Sequence, residues 1–178
     1  MAEMAAEGLN RSLEREEAFG RLVSRELASA YRTATALLRD PAEAEDATQE
    51  ALVRAWQRWD ALRDGERAGA WFGRILVNVC RDRLRARRPP AVRWRDPSAS
   101  IDPSVRLGER DALDEAFARL TVEQRIVVAL RYYLDLSTEE IAERMGIPRG
   151  TVKSRLHHAL RALRAAYEAE ERAIEVRP

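Results

Sequence analysis

The chain is short of the residues that usually carry catalysis or bind metals. Its 178 residues include one cysteine, Cys80, and two histidines, His157 and His158. A single cysteine excludes an internal disulfide bond, and no cysteine lies near the histidine pair to complete a zinc site. The sequence has no glycine-rich phosphate loop and no cluster with metal-ligand spacing. It therefore predicts neither an enzyme nor a metalloprotein and implies no cofactor.

Long hydrophobic runs are also missing. The longest apolar run, Ile126 to Leu130, is far too short to cross a bilayer, and the polar, acidic N-terminus does not resemble a signal peptide. We therefore expect a cytoplasmic protein without membrane insertion. No segment alternates apolar and polar residues for long enough to indicate a strand. The expected fold is all-α.

Charge is nearly balanced overall but is distributed unevenly along the chain. The formal net charge is +1, yet residues 61–95 hold ten arginines and three acidic residues, and residues 148–178 hold seven basic and four acidic residues. The stretches 1–60 and 96–147 have net charges of −4 and −5. Two basic blocks that alternate with two acidic ones predict two nucleic-acid contacts and two surfaces for other partners.

The positions of the prolines indicate how the chain is divided into domains. Four of its seven prolines lie between Arg88 and Leu107, in a stretch without sustained helical periodicity. Such a stretch favours extended backbone and is typical of a linker. We predict two small helical domains, at 16–88 and 108–168, joined by a proline-containing linker at 89–107.

Three helices are predicted in the first domain, at Glu17 to Arg39, Pro41 to Trp59 and about Ala70 to Arg87. The second leaves an acidic face exposed, which we define by four residues: Asp46, Gln49, Glu50 and Arg54. An acidic face on a rigid helix suits a basic protein partner better than DNA. The alternative is a solvated face in which the last two of these residues form an i,i+4 ion pair.

The third predicted helix carries a basic ridge opposite its apolar side. The ridge consists of four residues spaced at i, i+4, i+7 and i+11: Arg74, Asn78, Arg81 and Arg85. Residues at this spacing share one helix face. A basic face of this length can follow a phosphate backbone.

The segment from Ser137 to His158 predicts a helix-turn-helix in the second domain. Ser137 and Glu140 have the spacing of a capping box, and Gly146 suits the end of that helix. The next helix has apolar residues that predict a buried face: Val152, Leu156, Ala159, Leu160 and Leu163. Its outer face carries residues that bond phosphates and base edges in a major groove: Arg149, Thr151, Lys153, Ser154, Arg155 and His158.

An ordinary helical hairpin with a solvated basic face is the alternative for this segment. We favour DNA binding because Ala142, Gly146 and Val152 suit a close helix crossing, and because the basic residues cluster where a recognition helix carries them.

With these segments in this order, the chain resembles the bacterial RNA polymerase sigma factors, specifically the small two-domain extracytoplasmic-function (ECF) group of the sigma-70 family. The likeness extends over about residues 16–168 and rests on three segments. They are AEAEDATQEALVRAW (Ala42 to Trp56), WFGRILVNVCRDRLRAR (Trp71 to Arg87) and the helix-turn-helix with RGTVKSRL (Arg149 to Leu156).

The resemblance implies a role for each segment. The acidic face would bind the beta-prime coiled coil of core RNA polymerase. The third helix would contact the promoter element nearest the start site through Arg74, Asn78, Arg81, Asp82 and Arg85, with the loop from Asp60 to Arg67 as the wall of a pocket for a flipped base. The recognition helix at Arg149 would read the more distal promoter element. The beta subunit flap is a second implied polymerase contact, and an anti-sigma factor is a further partner that the resemblance allows.

A free-standing helix-turn-helix transcription regulator is the alternative function. Such a protein would bind duplex operator DNA by itself, usually as a symmetric dimer. The sequence shows no heptad zipper and no evident ligand pocket. We therefore expect an ECF-type sigma factor whose partners are core RNA polymerase and promoter DNA.

Overall fold

A computed structural model describes residues 2–62, 64–87, 116–117 and 119–175, with side chains between residues 12 and 169. The regular secondary structure of these residues is entirely helical, which confirms the predicted all-α fold. The predicted linker at 89–107 lies outside the described residues. None of the described helices is long and apolar enough to cross a membrane.

Three helices form the N-terminal half: α1 (Ala2–Leu38), α2 (Pro41–Gln57) and α3 (Ala68–Ala86). Two short 3-10 turns, Trp59–Ala61 and Gly65–Arg67, connect α2 to α3. The second helix therefore ends slightly before its predicted boundary, because the chain tightens into the first of these turns.

The start of α2 is determined by its first residues. The side chain of Asp40 accepts a hydrogen bond from the N–H of Glu43 at 3.0 Å, and Pro41 follows it at the first helical position. A proline there loses no helical hydrogen bond, and its fixed φ suits the helix. This confirms the helix start predicted at Asp40 and Pro41.

α1 begins earlier than the apolar pattern predicts. The pattern starts at Glu17, whereas the helix starts at Ala2. The additional residues are rich in alanine and glutamate, which form helices without needing a buried face, so periodicity does not reveal them. Helical periodicity predicts Leu27 in the core, but this residue is 43% exposed, so this prediction is wrong.

The core of this half combines small and large side chains. α2 contributes what we call its alanine face, four residues with no exposed surface: Ala44, Ala47, Ala51 and Ala55. Large buried side chains come from its neighbours, with Leu38 at the end of α1 and Phe72 and Leu76 on α3. Alanines let the backbones of adjacent helices approach closely, and the larger residues fill the remaining space.

The C-terminal half contains α4 (Val122–Val128), α5 (Thr138–Met145) and α6 (Arg149–Glu175). Capping boxes begin α4 and α5, as the spacing of Thr121 with Gln124 and of Ser137 with Glu140 predicts. Thr121 exchanges bonds with Gln124 at 3.2 and 2.9 Å, and the corresponding pair before α5 does so at 3.2 and 2.8 Å. The sequence also predicts a helix from about Glu109 to Leu120; the structure describes residues 116, 117, 119 and 120 of it, and the first three are helical.

α4 continues into a wider turn that the sequence did not reveal. From Ala129 to Tyr133 the backbone is a π-helix, in which the N–H of Leu134 bonds the carbonyl of Ala129 at 3.3 Å. The sequence predicts that the helix after Thr121 runs to Tyr133, and the structure confirms this end, although the last turn is wider than that of an α-helix. Asp135 then adopts a positive φ of 50°, which turns the chain toward α5.

The turn of the helix-turn-helix depends on Gly146, which has a φ of 66°. Its N–H bonds the carbonyl of Glu143 at 3.3 Å, and the N–H of Ile147 bonds that of Ala142 at 3.1 Å. This pair of bonds is a Schellman motif, which ends a helix at a left-handed residue and favours glycine there. The predicted helix end at Gly146 is confirmed.

α6 buries three of the five residues of its predicted apolar face, and a fourth, Leu163, is half-buried. Val152 and Ala159 have no exposed surface and Leu156 is 9% exposed, but Leu160 is 41% exposed. Leu160 was predicted to be buried, and this prediction is wrong. It follows Ala159 by one residue and is therefore rotated about 100° around the helix, toward the edge of the packed side.

Candidate nucleic-acid interface

The recognition helix, α6, packs one side against the core and presents the opposite side on the surface. α6 begins directly after Pro148, whose carbonyl accepts bonds from the N–H groups of Thr151 and Val152. Because Val152 is fully buried, the opposite side of these first turns faces outward. Of the predicted DNA-contacting residues, Thr151 and Arg155 are half-buried and the others are exposed: Arg149, Lys153, Ser154 and His158.

Two arginines of this helix are bound by acidic residues of neighbouring helices. Arg149 Nη1 lies 2.7 Å from Glu139, and its Nε donates to Thr138 Oγ1 at 3.3 Å. Arg155 Nη1 donates to Glu123 Oε2 at 3.0 Å. The Thr138 hydroxyl donates to the Glu139 carboxylate, and this bond, together with nearby Arg149, lowers the pKa of Glu139. Both arginines are thus oriented in the absence of DNA.

The basic ridge lies along the side of α3 that faces the C-terminal half. Arg74 and Arg85, near its two ends, are exposed, whereas Asn78 and Arg81 are half-buried. Arg81 Nη1 donates to Asn78 Oδ1 at 2.7 Å, so these two residues form one polar unit. The structure therefore brings all four predicted ridge residues onto one face.

Glu123 joins this ridge to the recognition helix. Arg85 Nη2 donates to Glu123 Oε1 at 2.7 Å. Arg81 Nε lies 3.3 Å from the same oxygen, without an aligned hydrogen bond. Since Arg155 of α6 bonds the other oxygen of this carboxylate, one acidic side chain contacts three arginines from two predicted DNA-binding surfaces.

Asp82 lies apart from the ridge, although the resemblance assigns it to the same promoter element. Its carboxylate is exposed and approaches Arg54 Nη1 of α2 at 4.0 Å. This places it beside the acidic face of α2.

A cavity of about 340 Å³ lies at the N-terminal end of the ridge. Its walls come from the loop before α3, from the first turns of α3 and from α5: Ala61, Leu62, Asp64, Arg67, Ala70, Trp71, Arg74 and Glu143. The Trp71 ring is half-buried and packs edge-on against Trp59, with the centroids 6.0 Å apart. Residues of the predicted pocket wall, Asp60 to Arg67, therefore line a cavity beside the Trp71 ring.

The acidic face of α2 is only partly open to a partner. Asp46 and Gln49 are exposed, whereas Glu50 is bound on both sides. It accepts from Arg54 at 2.5 Å, as the i,i+4 alternative predicts, and from Arg83 of α3 at 2.8 Å. The Arg83 hydrogen bond is the main reason that the pKa of Glu50 is lowered, and the charge of Arg54 adds to it.

Cys80 lies on the apolar face of α3, where the sequence predicts a small buried residue, and the structure confirms this. It has no exposed surface, and burial raises the pKa of its thiol to about 12. A thiol in this state is a poor nucleophile, because the thiolate is the reactive form. Among the residues that the structure describes, no group of histidine, cysteine and acidic side chains is arranged to hold a metal ion.

Sequence reasoning missed two residues that shape this interface, Glu123 and Glu143. Both lie in the C-terminal half and contact arginines of the N-terminal half, more than thirty residues away in the chain. In the sequence, each of them is indistinguishable from an ordinary surface glutamate on a short helix. A local pattern does not reveal such a contact.

Two family models match the chain. Sigma-70 region 2 matches residues 22–89 and sigma-70 region 4 matches residues 110–163. The first match includes the acidic face, the basic ridge and all of the cavity wall except Glu143, and the second includes Glu143 and the helix-turn-helix.

Curated relatives cover most of the chain. An RNA polymerase sigma-E factor from Streptomyces avermitilis is 40% identical over 142 residues, which is 79% of each chain. The ECF RNA polymerase sigma factor SigL of Mycobacterium tuberculosis is 42% identical over 141 residues, covering 75% of this chain and 80% of the relative.

Solved structures share the fold. CnrH in complex with the cytosolic domain of CnrY has a TM-score of 0.61 at 27% identity, covering 86% of this chain and 90% of that one. The sigma factor RpoE from Bartonella quintana, in complex with the anti-sigma factor NepR, has a TM-score of 0.60 at 23% identity, covering 84% and 96%.

Proposed function

Because this chain belongs to the ECF group of the sigma-70 family and is an RNA polymerase sigma factor that directs transcription initiation, we propose roles for three of its surfaces. The acidic face of α2 binds core polymerase, the basic ridge with its cavity binds the opened promoter strand, and the recognition helix reads the distal promoter element. The cavity beside the ridge is the observation that carries this assignment most directly.

The cavity has the composition expected of a site for an unstacked base. Trp71 offers an aromatic surface, and Arg67 and Arg74 supply positive charge at the rim. Proteins that hold single strands combine aromatic stacking with a basic path for the backbone, and stacking contributes about 1–3 kcal/mol per base. The ridge continues from Arg74 along α3, so a strand whose base enters the cavity would have its phosphates beside the ridge.

Asp46 and Gln49 are the residues of the acidic face that we expect to contact the beta-prime coiled coil. Both are exposed, whereas Glu50 serves mainly to join α2 to α3 through Arg83. The charge of Asp46 attracts a basic partner, and charge complementarity governs both the rate and the register of such docking. Glu50 and Arg54 then position the helix that carries this charge.

Two further partners belong to this proposal. The beta subunit flap would bind the C-terminal half, placing the recognition helix over the distal promoter element. An anti-sigma factor would hold the chain inactive; support comes from the solved complex of CnrH, 27% identical, with the cytosolic domain of CnrY. Pull-down of a tagged chain from its native cells, followed by mass spectrometry, should recover both polymerase and a regulator.

The docking assignment is tested by reversing the charge of Asp46. We expect Asp46→Lys to remain folded by circular dichroism but to lose competition for core polymerase by at least about tenfold, as expected when like charges meet at an interface. Glu17→Lys on α1 is the matched control, because it reverses an exposed charge outside the acidic face. Equal competition by the wild-type chain and Asp46→Lys would contradict the docking assignment.

A transcription assay distinguishes the sigma factor from a free-standing regulator. The wild-type chain should direct core polymerase to start at a promoter that core polymerase alone does not use. A free-standing regulator would instead bind duplex DNA tightly as a dimer and would leave initiation dependent on another sigma factor.

A further inference from the structure

Arg15 of α1 contacts the chain at the point where it leaves α2 and approaches the cavity. Its Nη2 group donates a hydrogen bond to the carbonyl of Trp56 at 3.1 Å, and its guanidinium carbon lies 4.2 Å from the centre of the Trp56 ring. Its Nε atom lies 3.1 Å from a carboxylate oxygen of Asp60, which belongs to the first 3-10 turn. One side chain thus joins the end of α2 to the turn that follows it.

The combination of these three contacts suits an arginine. The Trp56 carbonyl lies in the last turn of α2, and a positive charge is favourable at a helix C-terminus. A planar guanidinium can stack on a ring while its N–H groups face a carbonyl and a carboxylate, whereas a lysine ammonium is a single point charge. We therefore expect lysine to replace Arg15 only in part.

Aromatic rings connect the same part of α1 to the cavity. The Phe19 ring, one helical turn after Arg15, packs edge-on against Trp56 and Trp59, with centroid distances of 5.1 and 5.2 Å. Trp59 in turn packs edge-on against Trp71, which forms part of the cavity wall. Because edge-on ring pairs have a preferred geometry, a displacement of Trp59 should also displace Trp71.

The turn that Arg15 contacts also carries part of the cavity wall. Ala61 is the last residue of this turn and Leu62 follows it, and both line the cavity. Their N–H groups bond the carbonyls of Arg58 and Trp59, each at 3.0 Å. The hydrogen-bond geometry of a 3-10 turn is poorer than that of an α-helix, so contacts from outside the turn matter for its stability.

We infer that Arg15 is a positioning residue for the cavity: it holds the 3-10 turn and Trp59 so that the loop side of the cavity keeps its distance from Trp71. The inference rests on the proposed role of the cavity in holding an unstacked base. Arg15 is not part of the cavity wall and acts on the base only through the turn. A site that is already ordered loses less conformational entropy on binding, so a residue outside the cavity changes its affinity.

The contact can be removed from either side. Arg15→Ala removes the guanidinium, and Asp60→Asn removes the opposite charge on the turn. Arg21→Ala is the matched control, because it removes another arginine of α1, one that pairs with Glu17 on the same helix. Arg15→Lys keeps the positive charge without the planar group.

Hydrogen–deuterium exchange on the free full-length chain measures the turn directly. The N–H groups of Ala61 and Leu62 are bonded within the turn, so their exchange reports its opening. We expect Arg15→Ala to speed this exchange about fivefold, as for loss of a partly exposed ion pair. Adding Asp60→Asn to Arg15→Ala should change little further, because both substitutions remove the same contact. Arg15→Lys should show an intermediate rate, and Arg21→Ala should match the wild type.

Base binding is measured on the holoenzyme with a forked DNA taken from a promoter at which the wild-type chain initiates. An abasic site replaces each single-stranded position of the proximal element in turn. The wild type should lose about tenfold in affinity at the position whose base enters the cavity, as expected for one stacked base. In Arg15→Ala this loss should fall to about twofold. A variant that is only less stable would weaken binding to all these DNAs alike.

Unchanged exchange of the turn amides in Arg15→Ala, or an undiminished effect of the abasic site in this variant, would overturn the inference. If Arg15→Ala does not fold by circular dichroism, Asp60→Asn decides, because it changes only an exposed side chain. Failure of the proposed function has a different signature: the wild-type holoenzyme would tolerate an abasic site at every position. That result would overturn the cavity assignment and with it the role of Arg15 in base binding, whereas the exchange measurement needs neither polymerase nor DNA.

Discussion

Glu50 of α2 and Arg83 of α3 form an ion pair with a hydrogen bond of 2.8 Å, and this pair joins the proposed polymerase-binding helix to the helix of the basic ridge. A second link runs between Glu43 and Arg87 near the end of α3. The acidic residues of α2 are thus not equivalent: the two half-buried glutamates bind the neighbouring helix, and Asp46 faces solvent. Mutations of the two half-buried glutamates should therefore affect stability, whereas mutations of Asp46 should affect binding.

Replacing Glu50 by glutamine should lower the free energy of unfolding by about 1 kcal/mol at neutral pH, because the pair is about one-third exposed and partly screened. The pKa of Glu50 is lowered by the Arg83 hydrogen bond, so its stabilisation is present above the ordinary glutamate pKa of 4.5 and is lost as pH falls through the lower folded value. Urea unfolding of both proteins over this pH range measures the effect.

The difference in stability between wild type and Glu50→Gln should therefore shrink as the solution becomes acid. Glu45→Gln, an exposed residue on the same helix, serves as the control and should change stability little. A Glu50→Gln difference that is the same in acid as at neutral pH would show that the charge of Glu50 does not stabilise the fold.

Two glycines of the helix-turn-helix should respond to alanine in opposite directions. Gly146→Ala should destabilise the protein by about 1 kcal/mol or more, because Gly146 has a positive φ and a Cβ there would approach Arg74. Gly150→Ala should stabilise it by about 0.4–1 kcal/mol, because Gly150 is helical with open space around it and alanine restricts the unfolded chain. Thermal unfolding by circular dichroism compares the two, and a shift in the same direction for both would contradict this account of the turn.

Lys153 is the residue of the recognition helix that we expect to read a base directly. It is exposed in the first turns, whereas Arg149 and Arg155 are engaged by Glu139 and Glu123. A good contact to a base edge contributes about 1–3 kcal/mol of discrimination. Lys153→Ala, measured as holoenzyme, should lose affinity for the native promoter and become indifferent to one base pair of the distal element.

A panel of promoters mutated singly across the distal element provides this measurement. Arg161→Ala is the control, because it removes an exposed positive charge from the same helix two turns further from its start. If Lys153→Ala weakens binding to every promoter in the panel equally, Lys153 contacts phosphate only, and sequence choice lies with other residues.

Signals carried by residues close together in the chain were sufficient to predict most of the fold. The capping boxes at Thr121 and Ser137, the Asp40 cap and the left-handed Gly146 each depend on residues within a few positions, so their chemistry can be read directly from the sequence. The basic ridge was also predictable, because helical spacing alone places its residues on one face. The domain division and the roles of the site residues stay predictions.

Contacts between residues that are distant in the chain could not be predicted from the sequence. Arg83 was not identified as a partner of Glu50, because a pair between two helices has no periodic signature. The close contact at Gly73, where a Cβ would lie 3.4 Å from Arg144 Cγ of the other half, likewise has no local sequence signal. The π-helical segment ending at Tyr133 and the exposure of Leu160 depend on how neighbouring helices pack, which composition does not encode.

The alanine face of α2 influences the spacing between two surfaces of the protein as well as the packing of its core. Because these four buried positions of α2 carry no side chain beyond a methyl group, they permit a close approach to the neighbouring helices and so influence the separation between the surfaces proposed to bind polymerase and promoter DNA. A larger side chain there should push α2 away from its neighbours and so displace the proposed docking surface relative to the proposed strand-binding ridge. We therefore expect substitutions of the four alanines to change the spacing of these two surfaces as well as the stability of the core.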